Sequence, residues 1–332
     1  LRAHHVPVAA SALVTSEREL RAFVDQVGLP IIVKPQAGLG SRDTHRVESL
    51  ADLDALARLG LTPTERSPLQ AEQFIRAREF TCETVTIHGA PVWRSGTRYF
   101  PTPLEVLENA WMQYCVLLPR EVEAPWTDFA PVNTAALTTL FGSDTQVAGT
   151  ALSHMEWFLR DDGNMFVSEV GARPPGVQIM PLNSLAYDAD FVSKWAELIS
   201  FDRWSDPGPR QFAAGAAFLR GQGTGAQVSS VTGVREAVER AGSALVELKV
   251  PKVGQPRGAG YEGEGHALVK HETTEGVRQA LLALISTIRS VTEVAGESVG
   301  DAGERRVASR AMRSLLAAVL MLSLPVFAQG PA

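Results

Sequence analysis

The stretch HMEWFLRDDGNMFVSEV, residues 154–170, decides the fold. At its middle, Asp162-Gly163 is a two-residue turn signal between two apolar runs, 154–160 and 165–170, so the stretch is expected to form a β-hairpin. With Asp161 opposite Asn164, facing residue numbers sum to 325, and Glu156 falls opposite Glu169. Side chains that face each other across an antiparallel pair lie about 5 Å apart at Cβ, where like charges repel. Phe158 and Val167 are the apolar neighbours on that face. A cation between the two carboxylates relieves the repulsion. Mg²⁺ suits the position, since one or two carboxylates hold it while waters and nucleotide phosphates complete its shell. The plainer alternatives are a solvated surface pair or one protonated glutamate.

Composition narrows the class. A chain of 332 residues has room for about two domains, and 45% apolar with 20% charged residues describes an ordinary globular protein. The net charge of −6 gives no reason to expect nucleic acid as a partner, and no basic aromatic stripe is present. Only two cysteines occur, Cys82 and Cys115, too few for a disulfide scaffold; neither has a Cys or His at metal-ligand spacing, and a reducing cytoplasm is the default. The chain opens on Leu1 inside what reads as a turn before a strand, so residues are expected upstream. At the other end, Met312-Arg313 opens an apolar run over 315–327 that closes at Ala328-Gln329. That is the pattern of a secretory signal, set where no signal acts, and it is too short to span a bilayer comfortably. Residues 296–332 are read as a foreign tail, with a membrane-associated helix as the lesser reading.

Outward from the hairpin, the elements alternate without a simple repeat. Ser16 caps a helix over 16–26, closed by Gly28, and a strand follows over 31–34. Residues 37–41 form a Gly-rich loop, and a second Ser-capped helix covers 49–59. Strands are expected over 69–75 and 80–87, with His88-Gly89-Ala90 as a hairpin turn. Residues 101–131 read as irregular apart from a short helix over 104–110. Helices follow over 132–142, 189–199 and 275–291, with a compositional break over 201–210. Hairpins between helices indicate α+β layers and not a doubly wound parallel sheet.

Four local features carry chemistry. Lys34 ends an apolar strand just before Pro35 and the loop containing Gly38, Gly40 and Ser41, where free backbone N–H groups and a point charge suit a phosphate. No Gly-Lys-Ser/Thr triplet makes it a P-loop. Glu72, with Gln73, Phe74 and Ile75, precedes Glu79 by seven residues; an extended linker can address an adenine edge, and a carboxylate can accept ribose hydroxyls. The paired Glu156 and Glu169 come next. Arg173 follows, stiffened by Pro174-Pro175, as a preorganised guanidinium for a carboxylate or transferring phosphate. Each feature also has an ordinary structural reading: a glycine turn, a solvated strand edge, a surface ion pair. His154 shares the face of Glu156 and reads first as a packed histidine, second as a substrate contact. Gly221-x-Gly223 is not a dinucleotide fingerprint, because a strand and turn follow it where a helix is required.

In this order, the features resemble the ATP-grasp superfamily over residues 6–290. The resemblance implies two α+β subdomains that grip ATP between antiparallel sheets, over 1–90 and 91–210, a C-terminal lobe over 211–292, and a linker and tail over 293–332. By the same resemblance Lys34 binds the α/β-phosphates, and the loop with Gly38, Gly40 and Ser41 covers them. Glu72 to Ile75 form the adenine hinge, and Glu79 is the ribose carboxylate. Glu156 and Glu169 hold Mg²⁺, or Mn²⁺ in its place, and Arg173 holds the acyl phosphate or the acidic substrate. The implied activity is a cytoplasmic carboxylate–amine (or thiol) ligase acting on small molecules, often dimeric, with biotin-carboxylase-like carboxylation and a degenerate ATP-binding regulatory module as the alternatives. Two departures stand out. Gly171 replaces an asparagine that serves many members as a further metal ligand, and the usual N-terminal domain with its own phosphate-binding lysine is missing, which implies poor turnover by this chain. Arg94 and Arg98 are expected near the substrate carboxylate.

Overall fold

A computed structural model describes residues 1–36, 43–109, 112–142, 149–258 and 260–292. The chain divides into two compact units: residues 1–78 with 158–168, and residues 79–157 with the chain from 169 onward.

The first unit holds β1 (Ser11–Val14), α1 (Glu17–Val27), β2 (Ile31–Pro35), β3 (His45–Val47), α2 (Leu50–Arg58) and β4 (Leu69–Gln73). Its strands form one sheet in the order β1-β4-β2-β3. The helix starts are encoded locally. The Ser16 hydroxyl accepts from the Glu19 amide, and Ser49 and Asp52 exchange hydrogen bonds in a capping box. Leu20, Phe23 and Val24 of α1 and Leu53 and Leu56 of α2 pack on Ile31, Val33, Val47 and Ala71 of the sheet.

The second unit is built on a sheet in the order β10-β9-β5-β7-β8-β11-β15-β14, with β6 beside β5. These strands are β5 (Arg78–Ile87), β6 (Ala90–Ser95), β7 (Arg98–Phe100), β8 (Tyr114–Leu118), β9 (Ala151–Leu159), β10 (Met165–Gly171), β11 (Ala213–Leu219), β14 (Leu245–Lys249) and β15 (Gly265–His271). A second small sheet joins β12 (Gly221–Gly223), β13 (Ser230–Thr232) and β16 (Arg289–Thr292). The helices are α3 (Pro103–Glu108), α4 (Trp126–Phe141), α5 (Ile179–Tyr187), α6 (Phe191–Phe201), α7 (Val234–Ala241) and α8 (Thr274–Thr287). Strand β11 is wholly buried and consists mostly of Ala and Gly, poor strand formers chosen here for size. A Cβ on Gly215 would lie 2.8 Å from side-chain atoms of Leu281 and Val277, so α8 can pack at this distance only over a glycine. Around Trp157, Phe129 stacks at 4.0 Å and Phe80 at 4.8 Å, which seats α4 against β5 and β9.

Beyond strand β8 within the stretch read as irregular, and strand β16 where the helix read over 275–291 has already ended, three further features differ from their sequence reading. Helix α4 begins at Trp126, within the stretch read as irregular, and contains Pro131, whose missing N–H forfeits a single helical hydrogen bond. Helix α5 escaped the reading because of Pro181. That proline sits in the first turn, where an N–H has no helical partner in any case. The third difference is the turn of the 154–170 hairpin. The Arg160 amide donates to the Asn164 carbonyl at 2.9 Å, and the Arg160 carbonyl accepts from Gly163 at 3.0 Å. Only Gly163 is left-handed there (φ 83°), whereas a two-residue Asp-Gly turn needs both residues to be so. The loop is therefore the three residues 161–163, Arg160 faces Asn164, and facing numbers at the turn sum to 324. His88 (φ 48°) and Gly89 (φ 80°) make a two-residue turn between Ile87 and Ala90, one residue tighter than the expected His88-Gly89-Ala90 turn. Among the described residues, no helix is long and apolar enough to cross a membrane. The apolar tail and the Gly-rich loop, with Gly38, Gly40 and Ser41, lie outside the described residues.

Candidate active site

The chemistry-bearing residues of the second unit gather on adjacent strands of its sheet. Glu79, Thr81 and Glu83 alternate along β5 and share one face, with Tyr99 on β7 and His154 and Glu156 on β9. Glu79 is 7% exposed, Glu83 1% and His154 5%, an unusual density of buried charge. The His154 ring is sandwiched. Its Nδ1 lies 2.9 Å from Glu83 Oε1, and its Nε2 lies 3.6 Å from Glu156 Oε1. Burial alone would push the imidazolium down, but Glu156 and Glu83 outweigh it and raise the ring to about 10. The Tyr99 hydroxyl donates to Glu156 Oε1 at 3.1 Å. Burial likewise pushes Glu156 up, yet His154, Tyr99 and the charge of Arg173 bring its carboxyl below the ordinary range.

Glu79 behaves in the opposite sense. Burial, then the charges of Glu156, Glu105 and Glu169, hold its carboxyl well above the usual range. Tyr261, from the segment between β14 and β15, is pushed up to about 12 by burial and by Glu156 and Glu262, with a smaller part from Glu169. Glu156 and Glu169 thus act on the same two neighbours, although counting from the three-residue turn does not set them face to face. The donor set fits a hard divalent cation: carboxylate oxygens without sulfur, in a cluster whose mutual repulsion a cation relieves. Among the described residues, no group of three or more His, Cys, Asp or Glu side chains is placed to hold a metal ion by itself. Water and phosphate oxygens would have to complete the shell.

Arg173 is exposed and donates to the Pro174 carbonyl at 3.0 Å. A Cβ on Gly171 would lie 3.3 Å from Arg173 Cγ, so the glycine leaves space for the guanidinium to fold back along the chain. In the first unit, Lys34 pairs with Glu72 at 3.0 Å across the diagonal of β2 and β4, where Ile32 faces Glu72 and Lys34 faces Gln70. At the end of β4, Gln73 donates its amide to the Ala10 carbonyl; just beyond it Phe74 donates to the Pro30 carbonyl, and Ile75 is buried.

No family model matches the chain. It is 23% identical over 211 residues to an L-arginine-specific L-amino acid ligase of Bacillus subtilis, covering 62% of this chain and 48% of that protein. The chain thus spans about half the length of this curated relative. An L-amino acid ligase structure from Bacillus licheniformis superposes with a TM-score of 0.63 at 19% identity, covering 89% of this chain and 70% of that one. A carboxyaminoimidazole ribonucleotide synthase structure from an Aspergillus, complexed with ATP, gives a TM-score of 0.61 at 18% identity, with 86% and 70% covered. The chain has the ATP-grasp fold.

Within the ATP-grasp frame, two expected substrate contacts are corrected. Arg94 bonds Asn133 Oδ1 at 2.9 Å and Thr134 Oγ1 at 2.6 Å, which anchors α4 to β6. Arg98 is 2% exposed, with its guanidinium over Phe100 at 4.3 Å and Phe80 at 5.4 Å, on the α4 side of the sheet. Both lie on the α4 side of the sheet, away from the face that carries Glu79, Glu83 and Glu156. Sequence reasoning missed Glu83 and Tyr99. Glu83 was legible, since Glu79 and Glu83 repeat at period two in a strand otherwise composed of buried residues. Tyr99 carried no such signal.

Proposed function

We propose that the protein is an ATP-dependent ligase that activates a small-molecule carboxylate, an amino acid in the first instance, for attack by an amine. The observation that carries this reading is the placement of Glu79 and Glu156 on one face of adjacent strands in the ATP-grasp fold, with Glu169 on β10 and Arg173 just beyond it. Lys34 would bind nucleotide phosphates, the hinge Glu72 to Ile75 the adenine, and Gly38, Gly40 and Ser41 the phosphate edge. Glu79 is read as the ribose carboxylate or as a further member of the acidic cluster. Glu156 and Glu169 would hold Mg²⁺ or Mn²⁺, which when bound supplies charge neutralisation for the triphosphate.

In the first step a substrate carboxylate oxygen bonds to the γ-phosphorus while the bond to the β,γ-bridging oxygen breaks, releasing ADP. Arg173 would offer two parallel N–H groups to the carboxylate or the transferring phosphoryl oxygens. In the second step the amine nitrogen attacks the acyl carbon, inorganic phosphate departs with the bonding pair, and the amine gives up a proton to solvent. Buried free cysteines accord with a reducing, cytoplasmic setting.

The test is phosphate release from ATP and Mg²⁺ across a panel of amino acids, with wild type and Glu156→Gln side by side. Release that depends on a particular acid, and falls at least about 100-fold in the variant, is the expected result. Tight MgATP binding with no turnover against any acid would replace the ligase with a nucleotide-binding module, a reading that Gly171 favours because glycine offers no metal ligand.

A further inference from the structure

Glu83 is a buried carboxylate in the middle of a sheet, where an unpaired charge is costly. Both of its oxygens are engaged. Oε1 meets His154 Nδ1 at 2.9 Å, and Oε2 accepts from the Thr81 hydroxyl at 3.1 Å. Thr81 is held in turn by the Thr97 hydroxyl at 2.8 Å and the Thr97 amide at 3.0 Å. The imidazole therefore has a fixed plane, and its remaining nitrogen, Nε2, points to Glu156 Oε1. From β7, on the other side of β5, the Tyr99 hydroxyl reaches the same oxygen. Two groups from different strands converge on Oε1. Oε2 has no hydrogen-bond partner among the described residues, and the Glu156 side chain keeps 22% of its surface exposed. A network that only neutralised buried charge would have no need to end on a carboxylate whose side chain keeps part of its surface in solvent.

We propose that Glu83, His154 and Tyr99 are positioning residues that pin Oε1 of Glu156 and so present Oε2 to the divalent cation, an inference that rests on the metal reading of Glu156 above. The carboxylate–imidazole–carboxylate chain orients the ligand before the cation arrives, as partners behind metal ligands commonly do.

Mn²⁺ is the probe. Its binding to the 332-residue chain with a non-hydrolysable ATP analogue is followed by loss of the free-ion paramagnetic resonance signal, and thermal unfolding is recorded without metal. Tyr99→Phe and His154→Gln are each expected to raise the Mn²⁺ Kd by about 10- to 100-fold, with the metal-free Tm of Tyr99→Phe unchanged. A folded His154→Gln that binds Mn²⁺ as wild type does overturns the role of His154 and Glu83. If His154→Gln does not fold, Tyr99→Phe decides, and wild-type affinity there sinks the pinning of Oε1. Glu156→Gln separates the two levels. If it binds Mn²⁺ normally, the metal reading fails and takes this inference with it; if it loses Mn²⁺ while the other two variants keep it, only the inference fails.

Discussion

Lys34 and Glu156 show how a single residue's neighbours set what it can do. Lys34 is paired with Glu72 in the protein alone, at a diagonal position on the sheet that leaves the side chain partly exposed. The exchange of that partner for phosphate oxygens is a charge-for-charge substitution and carries little desolvation penalty. Lys34→Ala is therefore expected to raise the KM for ATP by about 10- to 100-fold, the worth of one charged hydrogen bond. The reading of Lys34 fails if ATP-dependent turnover keeps its wild-type KM. Glu156, partly exposed, and Glu79, buried, are carboxylates on one face, yet their protonation is driven in opposite directions. The difference is that Glu156 has hydrogen bonds from His154 and Tyr99, while at Glu79 burial and the neighbouring carboxylates outweigh the charge of His154.

At the scale of elements, the capping box of α2 is the feature most open to test. Ser49→Ala removes the bond to the Asp52 amide and is expected to cost about 1 kcal/mol, read from the urea midpoint at constant slope. An unchanged midpoint would mean that α2 does not need its cap. The same box predicts a pH dependence. Hydrogen bonds from Ser49, then from the Glu48 and Ser49 amides, hold the Asp52 carboxyl below its ordinary value of 3.8. A carboxyl depressed in the folded state stabilises above its unfolded pKa, and that contribution disappears as pH falls through the folded value. The stability gap between wild type and Ser49→Ala should therefore be full at neutral pH and narrow below about pH 4. Caps of this kind are local, which is why Ser16 and Ser49 marked their helices correctly while the unmarked start of α4 was missed. The turn of the 154–170 hairpin needed finer information, because Asp-Gly fits both a two-residue turn and a three-residue loop ending in a left-handed glycine.

For the whole molecule, binding should appear as stability. MgATP at about 100 times its Kd is expected to stabilise the folded chain by about 2.7 kcal/mol, visible as a rise in Tm that excess chelator removes. A Tm indifferent to MgATP would count against the nucleotide reading as a whole.

What the amino-acid order determined by itself was the set of parts. The spacing of Glu72 and Glu79, the pair Glu156 and Glu169, Arg173 before two prolines, and the alternation of caps, strands and turns were all legible, and they suffice to identify the fold. They are short-range patterns, and short-range patterns are written in neighbouring residues. Only the tertiary structure decided which groups meet. Glu83 and His154 are 71 positions apart, and Tyr99 and Glu156 are 57 apart. Their contacts depend on strand order in a sheet, which follows from the burial of a whole core and not from any local signal. The same long-range packing turned Arg94 and Arg98 inward, since a guanidinium that can anchor a helix or cover an aromatic ring in the core is no longer available to a ligand.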